Sequence, residues 1–562
     1  MNRLLRIAGV AMALAIILTI LRSTGCGCGP TLEHLGVDFE PGRDGYAFDN
    51  PIDVTTGNDR DVWRRVFGDT DASRKNYDDM TSGGSNLFGG GVCYGMSGTS
   101  LDIFGGWAKA ADFDQSPVAE NTHGVRADMR NGDFDTAPPT VRDYIERYQL
   151  AQFTEGVRNS VVWDAPRAYA IMREALKKGG RGMVILRVRT KSQHHGKPAG
   201  HAIVPAAIDG PDNKGWVTIS VWDNNSHDKV RKMKLNTKTW EWSYEFSFGE
   251  TWSSKSGYFG VSRISDVVVA MDGSPGGSGV KAKSGDFVPK GGSAMVPLTV
   301  VSGADAVFRG GGGWSLSYVK GRLHDNLPGA EFVYPGVLGP PPRTATFIVP
   351  AGAEIARTVT ATSAQPYRYA VLTPQGSALV TGRPGRRKTD SLEVGRGVTS
   401  VALTPRKRET AGSVSLSRFA GEQVRVMTVE PSGLRARETF KVAAADRDQA
   451  VQVTNEGRAR TYRVTLSRYG ASGSFQSAPL PIGAGETQTV KAYDWGNVGT
   501  SQVELFKGAV GASGGAGGTV LRKGTRASGA FPWVIVGIAA GVAAVVLAGL
   551  GVALWLRRRR AA

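Results

Sequence analysis

No charged side chain occurs between residues 531 and 556, near the C-terminus. A helix needs about 20 apolar residues to cross a bilayer, and this stretch is longer than that. Trp533 and Trp555 lie near its two ends, as interfacial aromatic residues do. Four arginines, 557–560, follow directly, and such clusters stay on the cytoplasmic side. The pattern predicts a single transmembrane helix over 531–556 and a cytoplasmic tail over 557–562.

The N-terminus has the composition of an export signal. Arg3 and Arg6 precede an apolar stretch over residues 7–21, and the small residues Ser23-Thr24-Gly25 follow it. We expect a signal peptide over 1–28, and lipid attachment at Cys26 stays open. With the C-terminal helix, this predicts a single-pass type I protein of the cell membrane, with most of the chain outside the cell.

The composition indicates a globular, basic, multidomain protein. A chain of 562 residues exceeds one ordinary domain, since domains usually run about 100–200 residues. The formal net charge of +18 favours anionic surroundings, and anionic cell-wall polymers are candidate partners. The sequence has no zinc-finger spacing and no basic sheet motif studded with aromatic residues, so nucleic acid is not a predicted partner.

A single cysteine, Cys93, lies beyond residue 28, directly after the glycine run 89–91. The residues that follow it have the pattern of a short buried helix that ends at Gly105-Gly106. Cys93 would then lie at the helix N-terminus, where unpaired N–H groups and the helix dipole favour a thiolate. Two interpretations stay open at this point, an inert buried thiol and a catalytic nucleophile.

The elements after Cys93 change from helices to strands. Two helices are predicted over 141–155 and 166–178, the second with Asp164 as its N-cap. Strand patterns then occupy 183–190, 201–208 and 216–222.

The second and third of these strands are expected to place a histidine next to an acid. His201 begins one strand, and Asp223 directly follows the next. A hairpin places the start of its first strand beside the end of its second. We therefore expect His201 and Asp223 to be neighbours, which is what a thiol nucleophile requires, since an imidazole takes its proton and a third side chain orients the imidazole.

Three short motifs resemble those of the papain-like cysteine peptidase superfamily, particularly bacterial members. They are Cys93-Tyr94-Gly95-Met96, Gly200-His201-Ala202 and Trp222-Asp223-Asn224-Asn225. The resemblance covers residues 42–272 and implies an α+β papain-like catalytic domain.

The same resemblance assigns roles to these residues. Cys93 would be the nucleophile, His201 the general base and acid, and Asp223 the orienting residue. Asn224 and Asn225 are alternatives for the third role, because familiar papain members use asparagine. One departure concerns the glutamine that helps to bind the oxyanion about six residues before the cysteine. Leu87 occupies that position, and the preceding Asn86 is the candidate replacement.

No metal site and no cofactor are predicted. The pair His194-His195 has no acid or cysteine at ligand spacing nearby, so a polar loop is the preferred interpretation. An alternating aromatic run from Trp240 to Phe248 is interpreted as core packing, with a cleft wall as the alternative.

The rest of the chain reads as strands and flexible segments. A Gly/Ser/Pro/Lys-rich linker covers 273–292, and a Gly/Ala/Ser stalk covers 508–530. Between them we expect all-β modules over 293–381, 382–445 and 446–507, the last similar to bacterial immunoglobulin-like surface domains. The predicted fold class is therefore an α+β papain-like domain, then β-sandwich modules, then one transmembrane helix.

The predicted function is a cell-surface cysteine hydrolase that cleaves peptide or isopeptide bonds of a protein or peptide substrate through a thioacyl-enzyme. Two alternatives use the same residues, a transglutaminase-like acyl transferase and a cell-wall amidase. A third belongs to another class, a surface binding or adhesion protein whose catalytic domain is degenerate.

Overall fold

A computed structural model describes most of the chain between residues 33 and 521. The described residues are 33–50, 59–81, 91–112, 119–125, 141–194, 197–227, 229–246, 249–272, 295–327, 330–333, 344–349, 355–362, 366–382, 389–406, 412–445, 449–508 and 518–521. The predicted signal peptide, linker, transmembrane helix and cytoplasmic tail lie outside these residues, as does most of the predicted stalk. Among the helices that are described, none combines the length and the apolarity needed to cross a bilayer.

The α-helices of the described residues all lie between residues 41 and 272. They are α1 Pro41–Asp44, α2 Asp59–Phe67, α3 Asp71–Thr81, α4 Cys93–Phe104, α5 Val141–Ala151, α6 Glu155–Ser160, α7 Ala165–Lys178 and α8 Ile264–Asp272.

Local signals set the ends of several helices. The helix predicted from Cys93 is confirmed as α4, with Gly105 as its C-cap. The helix predicted over 166–178 is confirmed as α7, where the Asp164 side chain accepts a hydrogen bond of 2.9 Å from the Arg167 N–H. The helix predicted over 141–155 is shorter than expected. It ends at Ala151, because the Thr154 hydroxyl accepts the Val157 N–H and caps a new helix, α6.

An antiparallel sheet of eight strands accompanies these helices. Its strands are β1 His34–Gly36, β2 Val184–His194, β3 Lys197–Asp209, β4 Trp216–Trp222, β5 Val230–Asn236, β6 Trp242–Glu245, β7 Thr251–Ser253 and β8 Gly257–Arg263. They lie in the order β7-β6-β5-β4-β3-β2-β8, and β1 also pairs with β3.

The register of the central strands confirms the predicted hairpin. β3 pairs with β4, with Val204 opposite Trp222, and a bulge lies between Pro205 and Ala207. Asp223, the residue after β4, therefore comes back toward the start of β3, where His201 lies. On its other side β3 pairs with β2, with Val188 opposite His201.

Helix α4 lies at the centre of this part of the molecule. Its first ten residues, 93–102, are all buried, and it packs against α5 on one side and β3 on the other. The α5 contact is close, because a Cβ on Gly95 would lie 2.0 Å from the Ile145 carbonyl oxygen. The position of Cys93 is thus fixed by backbone-to-backbone packing.

The residues after 295 form two further sheets. Their strands are β9 Leu298–Ser302, β10 Ala304–Arg309, β11 Ser315–Val319, β12 Arg322–Asp325, β13 Glu331–Val333, β14 Thr344–Ile348, β15 Ala356–Ala361, β16 Tyr367–Thr373, β17 Gly376–Gly382, β18 Thr389–Val394, β19 Ser400–Pro405, β20 Gly412–Ala420, β21 Gln423–Pro431, β22 Thr439–Ala445, β23 Ala450–Glu456, β24 Arg460–Arg468, β25 Ser474–Gln476, β26 Leu480–Ile482, β27 Thr487–Ala492, β28 Val503–Lys507 and β29 Thr519–Val520.

These strands divide between an 11-stranded and a 10-stranded sheet. The first has the order β12-β11-β10-β15-β18-β19-β22-β23-β27-β28-β29. The second has the order β13-β14-β9-β16-β17-β20-β21-β24-β25, with β26 also pairing β24. Side chains from both sheets share one hydrophobic cluster. The described protein is therefore mostly β, built from three sheets.

The module boundaries predicted near 382 and 446 do not coincide with breaks in these sheets. Strand β17, which ends at Gly382, pairs along its length with β20, beyond the first boundary. Strand β22 pairs with β23 across the second boundary, with Ala445 opposite Ala450. The described residues on the two sides of each boundary share sheets and a core.

The helical part and the β part are in direct contact. Leu298, Val300 and Leu372 belong to the hydrophobic cluster that otherwise consists mainly of residues before 272. The Ser377 hydroxyl donates a hydrogen bond of 2.5 Å to Asp79, and both side chains are buried. The β part therefore supports the helical part directly.

The contact at Gly95 generates a stability prediction. We expect Gly95→Ala to lower the midpoint of thermal unfolding of the full chain, because α4 and α5 must move apart and overpacking typically costs about 1–3 kcal/mol. The matched control is Gly42→Ala in α1, since a Cβ on Gly42 would meet nothing within 4 Å. Equal midpoints for the two variants would contradict the packing argument.

Candidate active site

Cys93 begins helix α4, and the residues before it are held by Asn50. The Val92 N–H donates a hydrogen bond of 2.7 Å to the Asn50 side-chain oxygen. Gly91 has a φ of +99°, and a Cβ there would lie 2.7 Å from Asn50 Nδ2, so glycine is needed on both counts. Cys93 itself is buried, with 5% of its surface exposed.

His201 lies on β3 and is fixed through one ring nitrogen. Its Nε2 lies 2.7 Å from Asp223 Oδ1, and both side chains are fully buried. The Phe246 ring meets the imidazole edge to face, with centroids 5.2 Å apart. The other nitrogen, Nδ1, is buried and has no hydrogen-bond partner among the described residues. It is thus the nitrogen that remains available for proton transfer.

Asp223 is held from three directions. Besides the His201 ring, the Asn225 N–H donates to Oδ1 at 2.9 Å, and the Tyr244 hydroxyl donates to Oδ2 at 2.5 Å. Because a buried carboxylate needs such donors to remain charged, this arrangement favours an ionised Asp223.

The two side chains shift each other's pKa. Burial by itself lowers the pKa of His201, but the Asp223 carboxylate and then the Cys93 thiol outweigh it and raise that pKa to about 10. Burial by itself raises the pKa of Asp223, yet His201, Tyr244 and the Asn225 N–H hold it below its ordinary value. The pair is therefore an imidazolium beside a carboxylate at neutral pH.

The two asparagines after Asp223 have different positions. Asn224 Nδ2 lies 3.0 Å from the Cys93 carbonyl oxygen, the Ser97 hydroxyl and the Ala202 carbonyl oxygen, so it ties α4 to β3. Asn225 Nδ2 lies 3.4 Å from His201 Nε2, farther than Asp223 Oδ1. Of the three residues considered for the orienting role, Asp223 makes the closest contact with the ring. Asn86, the candidate oxyanion donor, lies outside the described residues.

A small cavity adjoins the cysteine and the histidine. Its volume is about 40 Å³ between the described residues, room for a few water molecules. It is lined by residues from α4, α5, β2 and β3, together with Gln152, which follows α5. They are Cys93, Tyr94, Gln149, Gln152, Arg187, Val188, Arg189, Gly200, His201 and Ala202.

Several residues of this site are not predicted from the sequence. Asn50 and Gln149 act from distant segments, and Gln149 Oε1 accepts the Gly95 N–H at 3.0 Å. Arg187 lies on β2 and reaches the cavity. Tyr244 belongs to the alternating aromatic run, and that pattern was its one sequence signal.

No group of metal-ligating side chains occurs in the part of the chain that the structure describes. The His194-His195 pair lies outside the side chains that are described there.

Comparisons with known proteins add no assignment. No protein-family model matches the chain, and no curated protein or solved structure matches it. The geometry of the site is therefore the basis for assigning a function.

The Asn224 contacts generate a second prediction. We expect Asn224→Asp to lower the unfolding midpoint, because it places a carboxylate oxygen against two buried carbonyl oxygens. Leaving a buried polar group unsatisfied costs about 1–3 kcal/mol, and more when the group is charged. The exposed Asn213→Asp is the matched control, and we expect it to unfold like the wild type. A small effect of Asn224→Asp would show that the α4–β3 link is dispensable.

Proposed function

We propose that this protein is a cysteine hydrolase that attacks a peptide or isopeptide carbonyl with Cys93. One observation carries the proposal. His201 is oriented by Asp223 through Nε2, while Nδ1 has no hydrogen-bond partner in the part of the chain that is described, and the imidazole shares a cavity with the thiol at the start of α4. This is the arrangement that nucleophilic catalysis by a thiol needs.

The first half of the reaction forms the acyl-enzyme. Transfer of the Cys93 thiol proton to His201 Nδ1 gives the imidazolium, and the sulfur then attacks the carbonyl carbon as a thiolate. The N–H groups of Cys93 and Tyr94 have no acceptor within the helix, since its first internal bond runs from the Met96 N–H to Val92, so they are suited to stabilise the oxyanion. The imidazolium then gives its proton to the leaving amine as the C–N bond breaks.

The second half releases the acid. His201 takes a proton from water, the resulting hydroxide attacks the thioacyl carbon, and the C–S bond breaks. The sulfur leaves as a thiolate and the carboxylic acid departs. Acyl transfer to an amine in place of water uses the same steps, so the transglutaminase-like alternative differs from this proposal in the acceptor. The cell-wall amidase alternative differs in the substrate.

The resemblance of the three motifs to papain-like peptidases supports the same reaction. The export signal, the type I membrane anchor and the contact with anionic wall polymers stay predictions from the sequence. They would place the site outside the cell, facing protein or peptide substrates.

A second candidate is a surface binding protein that has lost catalysis. The burial of Cys93, His201 and Asp223 and the small cavity favour this candidate. Reactivity of the thiol separates the two.

The third prediction uses a vinyl-sulfone probe on the full chain with Cys26→Ser and Cys28→Ser. We expect Cys93 to be labelled much faster than free cysteine, with the site confirmed by peptide mapping. His201→Ala should label roughly 100-fold more slowly, the usual contribution of general base catalysis. Cys93→Ala should not label. Labelling of the folded protein at the rate of free cysteine would favour the binding protein.

The fourth prediction concerns pH. Because the leaving amine needs a proton from the imidazolium, kcat/KM should fall as pH rises through the His201 pKa of about 10. Asp223→Asn removes the attraction that raises this pKa while burial still lowers it, so the alkaline limb should move to lower pH. The comparison is a pH–rate profile of both proteins on one amide substrate. An unmoved alkaline limb in Asp223→Asn would contradict the assigned role of Asp223.

A further inference from the structure

Arg187 is a buried cation close to two aromatic rings, and Arg189 lies closer still to one of them, 3.9 Å from the Trp163 centroid. Its guanidinium carbon lies 5.0 Å from the Tyr94 ring centroid and 5.2 Å from that of Trp163, and the residue is 5% exposed. Gly260 lies opposite Arg187 on β8, and a Cβ there would come within 2.5 Å of the Trp163 ring. The glycine thus makes room for the stacked ring. Cation–π contacts with these rings leave the N–H edge of the guanidinium to bind polar groups.

The N–H edge of Arg187 has almost no hydrogen-bond acceptors among the described residues. The one polar contact of Arg187 is a long one, 3.5 Å from Nη2 to Gln152 Oε1, and Nη1 is buried without a partner. Two nearby arginines do have a carboxylate partner, because Arg158 and Arg189 both form ion pairs with Glu331. Burial and then Arg189 lower the pKa of Arg187 to about 10, so it stays charged at neutral pH.

A buried, unpaired charge is unfavourable unless a partner of opposite charge arrives. Arg187 lines the same cavity as Cys93 and His201, so such a partner would lie beside the reacting thiol. Carboxylates match a guanidinium edge, because two parallel N–H···O bonds form at once.

We propose that Arg187 binds a carboxylate of the substrate next to the bond that Cys93 attacks. The proposal rests on the proposed hydrolase and narrows its substrates to acidic ones. The carboxylate has two sources in a peptide, an acidic side chain beside the scissile bond or a free C-terminus close to it.

The test compares matched probe pairs on the full chain with Cys26→Ser and Cys28→Ser. One pair of vinyl sulfones carries glutamate or glutamine beside the reactive group. One pair of epoxides ends in a free carboxylate or in a carboxamide. Labelling rates at Cys93 give an acid-to-amide ratio for each pair, and the pair with the larger ratio identifies the source of the carboxylate.

We expect the wild type to prefer the acid in one pair by about 10- to 100-fold, the usual strength of a charge-assisted hydrogen bond. Arg187→Met keeps an apolar side chain against the rings and should bring that ratio to about one, with the amide probe still labelling. Arg187→Lys keeps the positive charge but lacks the parallel N–H donors of the guanidinium. Its acid-to-amide ratio should therefore lie between those of the wild type and Arg187→Met. Arg181→Met is the control, because Arg181 also stacks on an aromatic ring, Trp107, but lies outside the cavity lining. It should keep the wild-type ratio.

The outcomes separate the two proposals. A wild-type ratio of one in both pairs, with rapid labelling of Cys93, overturns the carboxylate site and leaves the hydrolase standing. An equal loss of both members of a pair in a folded Arg187→Met protein also overturns it, since the arginine would then act on the thiol. Slow labelling by all four probes overturns the hydrolase. Where Arg187→Met does not fold, Arg187→Lys decides, and an unchanged wild-type ratio in that variant overturns the carboxylate site.

Discussion

The charge on Asp223 is the condition for the rest of the site. A carboxylate withdrawn from water remains ionised only when donors and an opposite charge surround it, and here the His201 ring, the Tyr244 hydroxyl and the Asn225 N–H do so. That charge fixes one face of the imidazole and raises its pKa. The ring is then turned with Nδ1 away from the acid, and Cys93 and His201 line the same cavity.

The thiol is positioned by a different set of contacts. Gly95 lets α4 approach α5 at backbone distance, Asn50 holds the chain before Cys93, and Asn224 ties the first turn of α4 to β3. These contacts join segments that are far apart in the sequence. For the proposed nucleophile, a helix held this firmly would mean little reorganisation during the reaction, which is the electrostatic advantage of a preorganised site.

The β part also contributes charged residues that act on the cavity. Glu331 on β13 pairs with Arg158 and Arg189, so it neutralises part of a basic cluster around the cavity, and Arg187 is left without a carboxylate partner among the described residues. The cores of the two parts also merge at Leu298 and Leu372. The electrostatics of the cavity are therefore set partly by residues well outside the predicted catalytic domain over 42–272.

Short-range patterns in the amino-acid sequence predict the local elements and the core of the site. Gly105 ends α4, Asp164 caps α7, and strand alternation locates β2, β3 and β4, because caps and periodicity act over a few residues. A hairpin is also local, so the meeting of His201 with Asp223 was predictable. Long-range packing of the folded chain selects the distant groups that join them, including Asn50, Tyr244 and Arg187. It also decided that strands pair across 382 and 446, since an alternating pattern shows which face of a strand is buried but not which strand lies beside it.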